Sequence, residues 1–139
     1  VVSRFVVDAS AALPWVFGNE VTPVSQSNLT TAIRSGVLVP PLFPFEVTNA
    51  IAMAMRRNRV TKADLIAIRE TLMQVNFEID HDIEVQSVVA GAEFAVRHKL
   101  SAHDAAYLDL ALRRALPLAT RDAALIAAAQ SCGVTTLAA

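Results

Sequence analysis

Residues 4–10 read RFVVDAS: a short apolar run over Arg4–Val7 that stops at an acid and passes at once into an alanine-rich stretch. Aromatic and β-branched residues favour strands and Ala favours helix, so Asp8 marks the junction of a short strand with a following helix. The same pattern recurs downstream. Val37–Val39 is closed by Pro40 and Pro41, Phe77–Ile79 is a third run, and Pro117–Ala119 and Val134–Thr136 are brief fourth and fifth candidates. Segments of helical period lie between them: Phe45–Met55, Asp64–Val75 with Leu65, Ile68, Leu72 and Val75 on one stripe, Val85–Arg97, and Ala105–Ala115. Strands alternating with helices predict a parallel sheet covered on both faces.

Punctuation supports this layout. Thr61 with Asp64, and Ser101 with Asp104, have the spacing of capping boxes. Gly36, Asn58 and Gly133 stand where helices should stop, since each tolerates a left-handed backbone. Arg56, Arg57 and Arg59 cluster at a helix end, where cations oppose the dipole.

The 139 residues make one domain, spanning 1–139, without repeat, low-complexity tract or linker. Hydrophobic residues are 54% and aromatics 6%, which predicts a core of Ala, Val, Leu and Ile. A mean hydropathy of +0.44 excludes disorder. With 12 basic and 13 acidic residues the net charge is -1, so no overall positive field advertises nucleic acid. One cysteine excludes a disulfide scaffold and a thiolate metal cage, and suits a reducing cytosol. The longest uncharged stretch, after Asp122, contains Gln130, Ser131, Gly133, Thr135 and Thr136 and is too polar to span a membrane. The start has no signal-peptide pattern, and the missing initiator Met implies trimming. The expectation is a cytoplasmic protein.

Four acids stand at informative places. Asp8 ends the first strand, Glu46 opens the helix after the second with Asn49 at i+3, Asp104 opens the helix after Leu100, and Asp122 follows the fourth strand. In a parallel sheet the strand carboxyl ends and the next helix N-termini share the edge where ligands bind. Each Asp alone is equally well an N-cap. Together they make a cluster in which two carboxylates about 4 Å apart repel by roughly 4 kcal/mol at an effective dielectric near 20, so the cluster calls for a cation. Hard oxygen ligands without Cys or clustered His favour Mg²⁺ or Mn²⁺ over Zn²⁺, and a carboxylate-held Mg²⁺ takes up phosphate oxygens. That chemistry is phosphodiester hydrolysis.

The ordered segments VVDAS (6–10), PFEVTNAI (44–51), LSAHDAAYLDLAL (100–112) and TRDAAL (120–125) resemble the motifs of PIN-domain ribonucleases. Their order, spacing and total length are similar to the toxin half of VapBC toxin–antitoxin pairs. The resemblance implies a three-layer α/β/α sandwich with a five-stranded, mainly parallel sheet, and metal-dependent cleavage of RNA. It makes Asp8, Glu46, Asp104 and Asp122 the metal-binding and catalytic quartet. Ser10 and Thr120 become polar supports near the metal, and Asn49 the residue that orients a neighbouring carboxylate. It further implies a homodimer, and a VapB-type antitoxin whose C-terminal segment blocks the site. His103 stands where aromatics are frequent in the family, and FGNE (17–20) is less acidic than in many relatives.

Other residues are weighed down. Adjacent helix side chains point about 100° apart, so His103 is read as a solvent or RNA contact rather than a proton relay. In the run Asp80, His81, Asp82, Glu84, Asp82 is expected to cap the next helix. Asp109, with Arg113 at i+4, reads as an ion-paired surface acid, and Cys132 as a small core residue. Trp15 and Phe17 either pack internally or line a partner groove. Arg56, Arg57 and Arg59 contact RNA phosphate or antitoxin, or simply solvate a helix end. Two rivals stand beside the ribonuclease: a phosphoaspartate hydrolase with Asp8 as nucleophile, whose DxDx pattern is broken by Ser10, and a non-catalytic PIN-like interaction module. RNA identity and the number of metal ions are not legible.

Overall fold

The computed structural model describes residues 3–139; of the expected 1–139 domain, residues 1 and 2 lie outside the described part. The strands are β1 (Phe5–Val7), β2 (Val37–Val39), β3 (Phe77–Ile79), β4 (Leu118–Ala119) and β5 (Thr136–Leu137). They form one sheet in the order β3-β2-β1-β4-β5, and every pairing is parallel. The helices are α1 (Ala9–Val16), α2 (Pro23–Ser35), α3 (Phe43–Arg56), α4 (Lys62–Gln74), α5 (Val88–Arg97), α6 (Ala102–Arg114) and α7 (Ala123–Ser131). Helix α1 packs on α2, α3 and α4, whereas α6 packs on α5, α7, β1 and β4. The expected three-layer α/β/α arrangement is what the chain adopts.

The central strands are wholly apolar because both faces are covered: Phe5, Val6, Val7, Val37, Leu38, Val39, Leu118 and Ala119 have no exposed surface. Strand β3, at the edge, leaves Glu78 and Ile79 exposed. The core is richer in Ala, Val and Leu than expected and poorer in Ile. Ile68 is the only buried isoleucine among the described residues, while Phe5, Phe43, Trp15 and Tyr107 supply the bulk.

Asn58, Gly36 and Gly133 all take positive φ, as expected of helix stops; Lys99 and Ala115 do so unannounced. At Gly36 a Cβ would also lie 3.1 Å from the Asn76 carbonyl, so this position needs glycine twice over. Three expectations are corrected. Helix α2 was not anticipated, because its polar run SQSNLTT carries little apolar period; a Thr22–Ser25 capping box and Pro23 in the first turn start it instead. Strand β5 begins at Thr136 rather than Val134. The segment 85–97 is a short 3₁₀ turn (Val85–Ser87) followed by α5, and Asp82 does not cap it, since Ser87 precedes the helix and makes no side-chain cap bond.

Candidate active site

The chain lays β1, β2 and β3 outward in one direction and then returns to place β4 and β5 on the other side of β1. The crevice between the ends of β1 and β4 is therefore the switch point where parallel sheets accept ligands. Asp8 leaves β1 there and Thr120 leaves β4.

The two are bonded. Thr120 Oγ1 donates to Asp8 Oδ2 at 2.5 Å, and Ser10 Oγ donates to Asp8 Oδ1 at 2.7 Å. The Ala11 amide also donates to Asp8 Oδ1, at 3.0 Å, so Asp8 is the N-cap of α1 as well. The hydroxyls are held in turn: the Arg121 amide donates to Ser10 Oγ at 2.9 Å and the Asp122 amide to Thr120 Oγ1 at 3.1 Å. Ser10 and Thr120, 110 residues apart, thus both hold the Asp8 carboxylate.

Asp122 caps α7, its Oδ1 accepting from the Leu125 amide at 2.8 Å. Asp104 does not cap. Ser101 Oγ accepts from the Asp104 amide at 3.1 Å, but the reciprocal bond that completes the box at Thr61–Asp64 does not form here. The Asp104 carboxylate is left for the crevice. Glu46, half-buried in the first turn of α3, accepts a hydrogen bond from the Tyr107 hydroxyl on α6.

These four carboxylates feel one another. Burial raises the pKa of Asp8, and the charge of Asp122 adds to it despite the bonds from Thr120, Ser10 and Ala11. Burial likewise raises Glu46, with Asp8 and Asp104 contributing. Asp104 is raised by burial and then by Asp122 and Asp8. None of the four pairs with a Lys or Arg among the described residues. His103 is the exception in sign: its cationic form works to lower both Glu46 and Asp104. The angular separation of adjacent helix side chains does not remove His103 from the site's field.

Among the described residues no three His, Cys, Asp or Glu side chains close into a ready metal cage. Both Asp8 oxygens and one Glu46 oxygen are already engaged, so the acids border the crevice rather than converge on one point. Such a donor set, all oxygen and unneutralised, fits a hydrated Mg²⁺ or Mn²⁺, which binds through one or two carboxylates and keeps several waters.

Other expected residues fall elsewhere. Asn49 is exposed and its amide faces Met53 Sδ at 3.7 Å, so it orients no carboxylate here. Arg56 ends α3 and Arg57 caps it. Arg57 and Arg59 line a groove of about 910 Å³ together with Trp15, Phe17, Met53 and Ile68, and none of the four acids borders it. Trp15 is both core and groove wall. Asp109 is ion-paired to Arg113 at 2.8 Å, as expected. Cys132 is half-buried, with Sγ 3.7 Å from His98 Nδ1. Sequence reasoning missed Tyr107, although it lies inside a quoted motif three residues after Asp104.

A parallel α/β sandwich with an acid-lined crevice at its switch point defines a class of protein suited to cation-assisted phosphoryl chemistry. A PIN-domain model matches residues 5–130, and the chain belongs to the PIN-domain family, whose members are generally nucleases. The crystal structure of PAE2754 from Pyrobaculum aerophilum is similar in fold, with a TM-score of 0.69 and 22% identity over 96% of this chain and 90% of that one. No curated protein matches the sequence.

Proposed function

We propose that the protein is a Mg²⁺- or Mn²⁺-dependent endoribonuclease and the toxin of a type II toxin–antitoxin pair. The observation that carries the nuclease reading is the gathering of Asp8, Glu46, Asp104 and Asp122 at one crevice with no Lys or Arg paired to them. A bound divalent cation would supply an activated water and neutralise charge developing at the phosphoryl group. The chain's own part is to hold the acids. Ser10 and Thr120 fix Asp8, Ser101 starts the helix that presents Asp104, and Tyr107 holds Glu46. Arg121, exposed between Thr120 and Asp122 with its amide on Ser10, is placed to meet an RNA phosphate.

The toxin reading draws on the groove between α1, α3 and α4. Trp15 Nε1 is buried there without a hydrogen-bond partner, and the rim carries Arg57 and Arg59 beside the acids Glu20 and Asp64, a mixed-charge seat for an antitoxin segment. An antitoxin arginine would complement the carboxylates themselves. A homodimer finds support in Val85, Val88, Val89 and Val96, exposed on one stripe of the α5 region. No helix among the described residues is long and apolar enough to cross a membrane, in keeping with a cytoplasmic site of action.

The phosphoaspartate-hydrolase reading is disfavoured because Ser10 stands where its DxDx pattern has a second acid, and that hydroxyl donates to Asp8 Oδ1. The deciding experiment incubates the purified protein with structured and single-stranded RNA, with Mg²⁺ or Mn²⁺ and with a chelator. Cleavage that requires the cation is expected. Binding of RNA without cleavage under every cation condition would leave the non-catalytic module as the better account.

A further inference from the structure

We infer that Tyr107 is a positioning residue whose hydroxyl holds Glu46 in the orientation that binds a divalent cation; the inference rests on the nuclease reading above.

Tyr107 lies one helical turn beyond Asp104 on α6, so both project from the same side of that helix. Its ring is 1% exposed and belongs to the core. A phenylalanine would fill that space equally well. The hydroxyl is a different matter, because a buried phenol needs a partner, and its partner is Glu46 Oε1 on α3. The bond ties the helix that carries one acid to the helix that carries another.

The phenol is a committed donor. The Tyr107 O–H donates, and the Glu46 carboxylate can only accept. The phenol therefore gives a proton to the hydrogen bond and is not itself an anionic ligand. Glu46 is the acid that most needs such help. It has the longest side chain of the four, its carboxylate faces the charges of Asp8 and Asp104, and its half-exposed position leaves it free to swing into solvent. Asp8 has two hydroxyls and an amide to hold it, and Asp122 has its cap. Glu46 has Tyr107. The bond occupies one oxygen and leaves the other for the crevice. Residues that orient a ligand in this way change metal affinity by about 10- to 100-fold when removed.

The test is the Mn²⁺ dissociation constant of the full chain, measured by electron paramagnetic resonance without RNA, with thermal melting alongside. Tyr107→Phe is expected to bind Mn²⁺ about 10-fold more weakly. In a Glu46→Gln background the same substitution should cost nothing further, since the interaction is already gone. A role confined to core packing predicts a lowered melting temperature with unchanged affinity, and that result overturns the inference; so do additive losses in the double variant. If Tyr107→Phe does not fold, Glu46→Asp takes its place: it keeps the charge but withdraws it from the hydroxyl, and should lose affinity to the same extent. Wild-type affinity in Glu46→Asp also overturns the inference. A wild-type protein that binds no Mn²⁺ brings down the nuclease reading and this inference together, whereas equal binding by wild type and Tyr107→Phe brings down the inference alone.

Discussion

Two acid-rich regions of this molecule are built from the same residue types to opposite ends. Beside the edge strand β3, Glu78, Asp80 and Asp109 each have a guanidinium. Arg113 Nη2 reaches Asp80 Oδ2 at 2.7 Å and its Nε reaches Asp109 at 2.8 Å, while Arg114 and Arg4 each approach Glu78 at 3.3 Å. Asp80 is only 4% exposed yet causes no electrostatic difficulty, because Arg113 and Arg114 both face it. At the β1–β4 crevice, four acids share hydroxyls, amides and one histidine but no guanidinium or ammonium partner. Charge that a protein neutralises within its own chain serves structure. Charge left unmatched in a crevice has no such structural use, and on the function proposed above it is kept for a hard cation.

The contrast can be broken most sharply by activity. Glu46→Gln and Asp104→Asn should each reduce RNA cleavage by roughly 100-fold or more, a loss of about 2.7 kcal/mol of transition-state stabilisation. Asp109→Asn should leave the rate within about twofold, since a surface ion pair is worth roughly 0–1 kcal/mol. Single-turnover cleavage of one RNA decides the matter. Equal loss from Asp109→Asn, with the fold intact, would place the site elsewhere.

Stability should divide the regions the other way. Asp80→Asn leaves Arg113 and Arg114 beside a buried neutral group, and because both guanidiniums are about a third exposed the loss should be on the order of 1–2 kcal/mol. Denaturant titration should show that loss in chelator and in Mn²⁺ alike. A loss that metal restores would mean that Asp80 belongs to the cation site.

A smaller effect concerns pH. Asp8, Glu46 and Asp104 all have folded pKa values raised above their ordinary ones, chiefly by burial. The stability they contribute is full below their unfolded values and is lost as pH rises through the raised ones. The metal-free protein should therefore gain stability as the pH falls from neutral toward the ordinary carboxylate range, mainly from Asp8, because Glu46 and Asp104 are better screened by solvent. Asp64 acts in the opposite sense and outside this window: bonds to Thr61 lower its pKa, so its contribution disappears only as pH falls below the ordinary Asp range. Thermal scans in chelator across this range give the sign directly. A flat or falling melting temperature would mean that the crevice acids are not strained by one another.

The sheet was legible because both faces of its strands are covered, which writes them as unbroken apolar runs closed by an acid or a proline. The acids were legible for a related reason: a strand end followed by a helix start has a fixed address in a parallel fold. Helix α2 was not, since a capping box and the burial of Ser25 and Ala32 hold it rather than a long apolar stripe. Nor was the pairing of Asp80 with Arg113, which lie 33 residues apart, because sequence separation hides which charges meet. Asp82 was chosen over Asp80 as the structural acid of its run on helix-start grammar alone, and burial chose otherwise. Asn49 shows the limit of helical spacing: i+3 puts it on the same side as Glu46 without bringing its amide to a carboxylate. Tyr107 was passed over inside a quoted motif, because the use of its hydroxyl depends on a helix 61 residues away.

The measurement that bears most directly on the unmatched charge is the melting temperature of wild type and Asp8→Asn, each with chelator and with Mn²⁺. Asn can keep Oδ1 for the Ala11 amide and the Ser10 hydroxyl, and the Thr120 hydroxyl can turn to accept from its Nδ2, so the substitution removes chiefly the charge. In chelator Asp8→Asn should melt above wild type, by roughly 3 °C if about 1 kcal/mol of repulsion is relieved. Mn²⁺ should raise the wild type and leave the variant nearly unmoved, since the cation stabilises only the fold that presents its full set of ligands. An Asp8→Asn protein that melts below wild type, with Mn²⁺ lifting both equally, would make Asp8 a helix cap and nothing more, and would contradict the account.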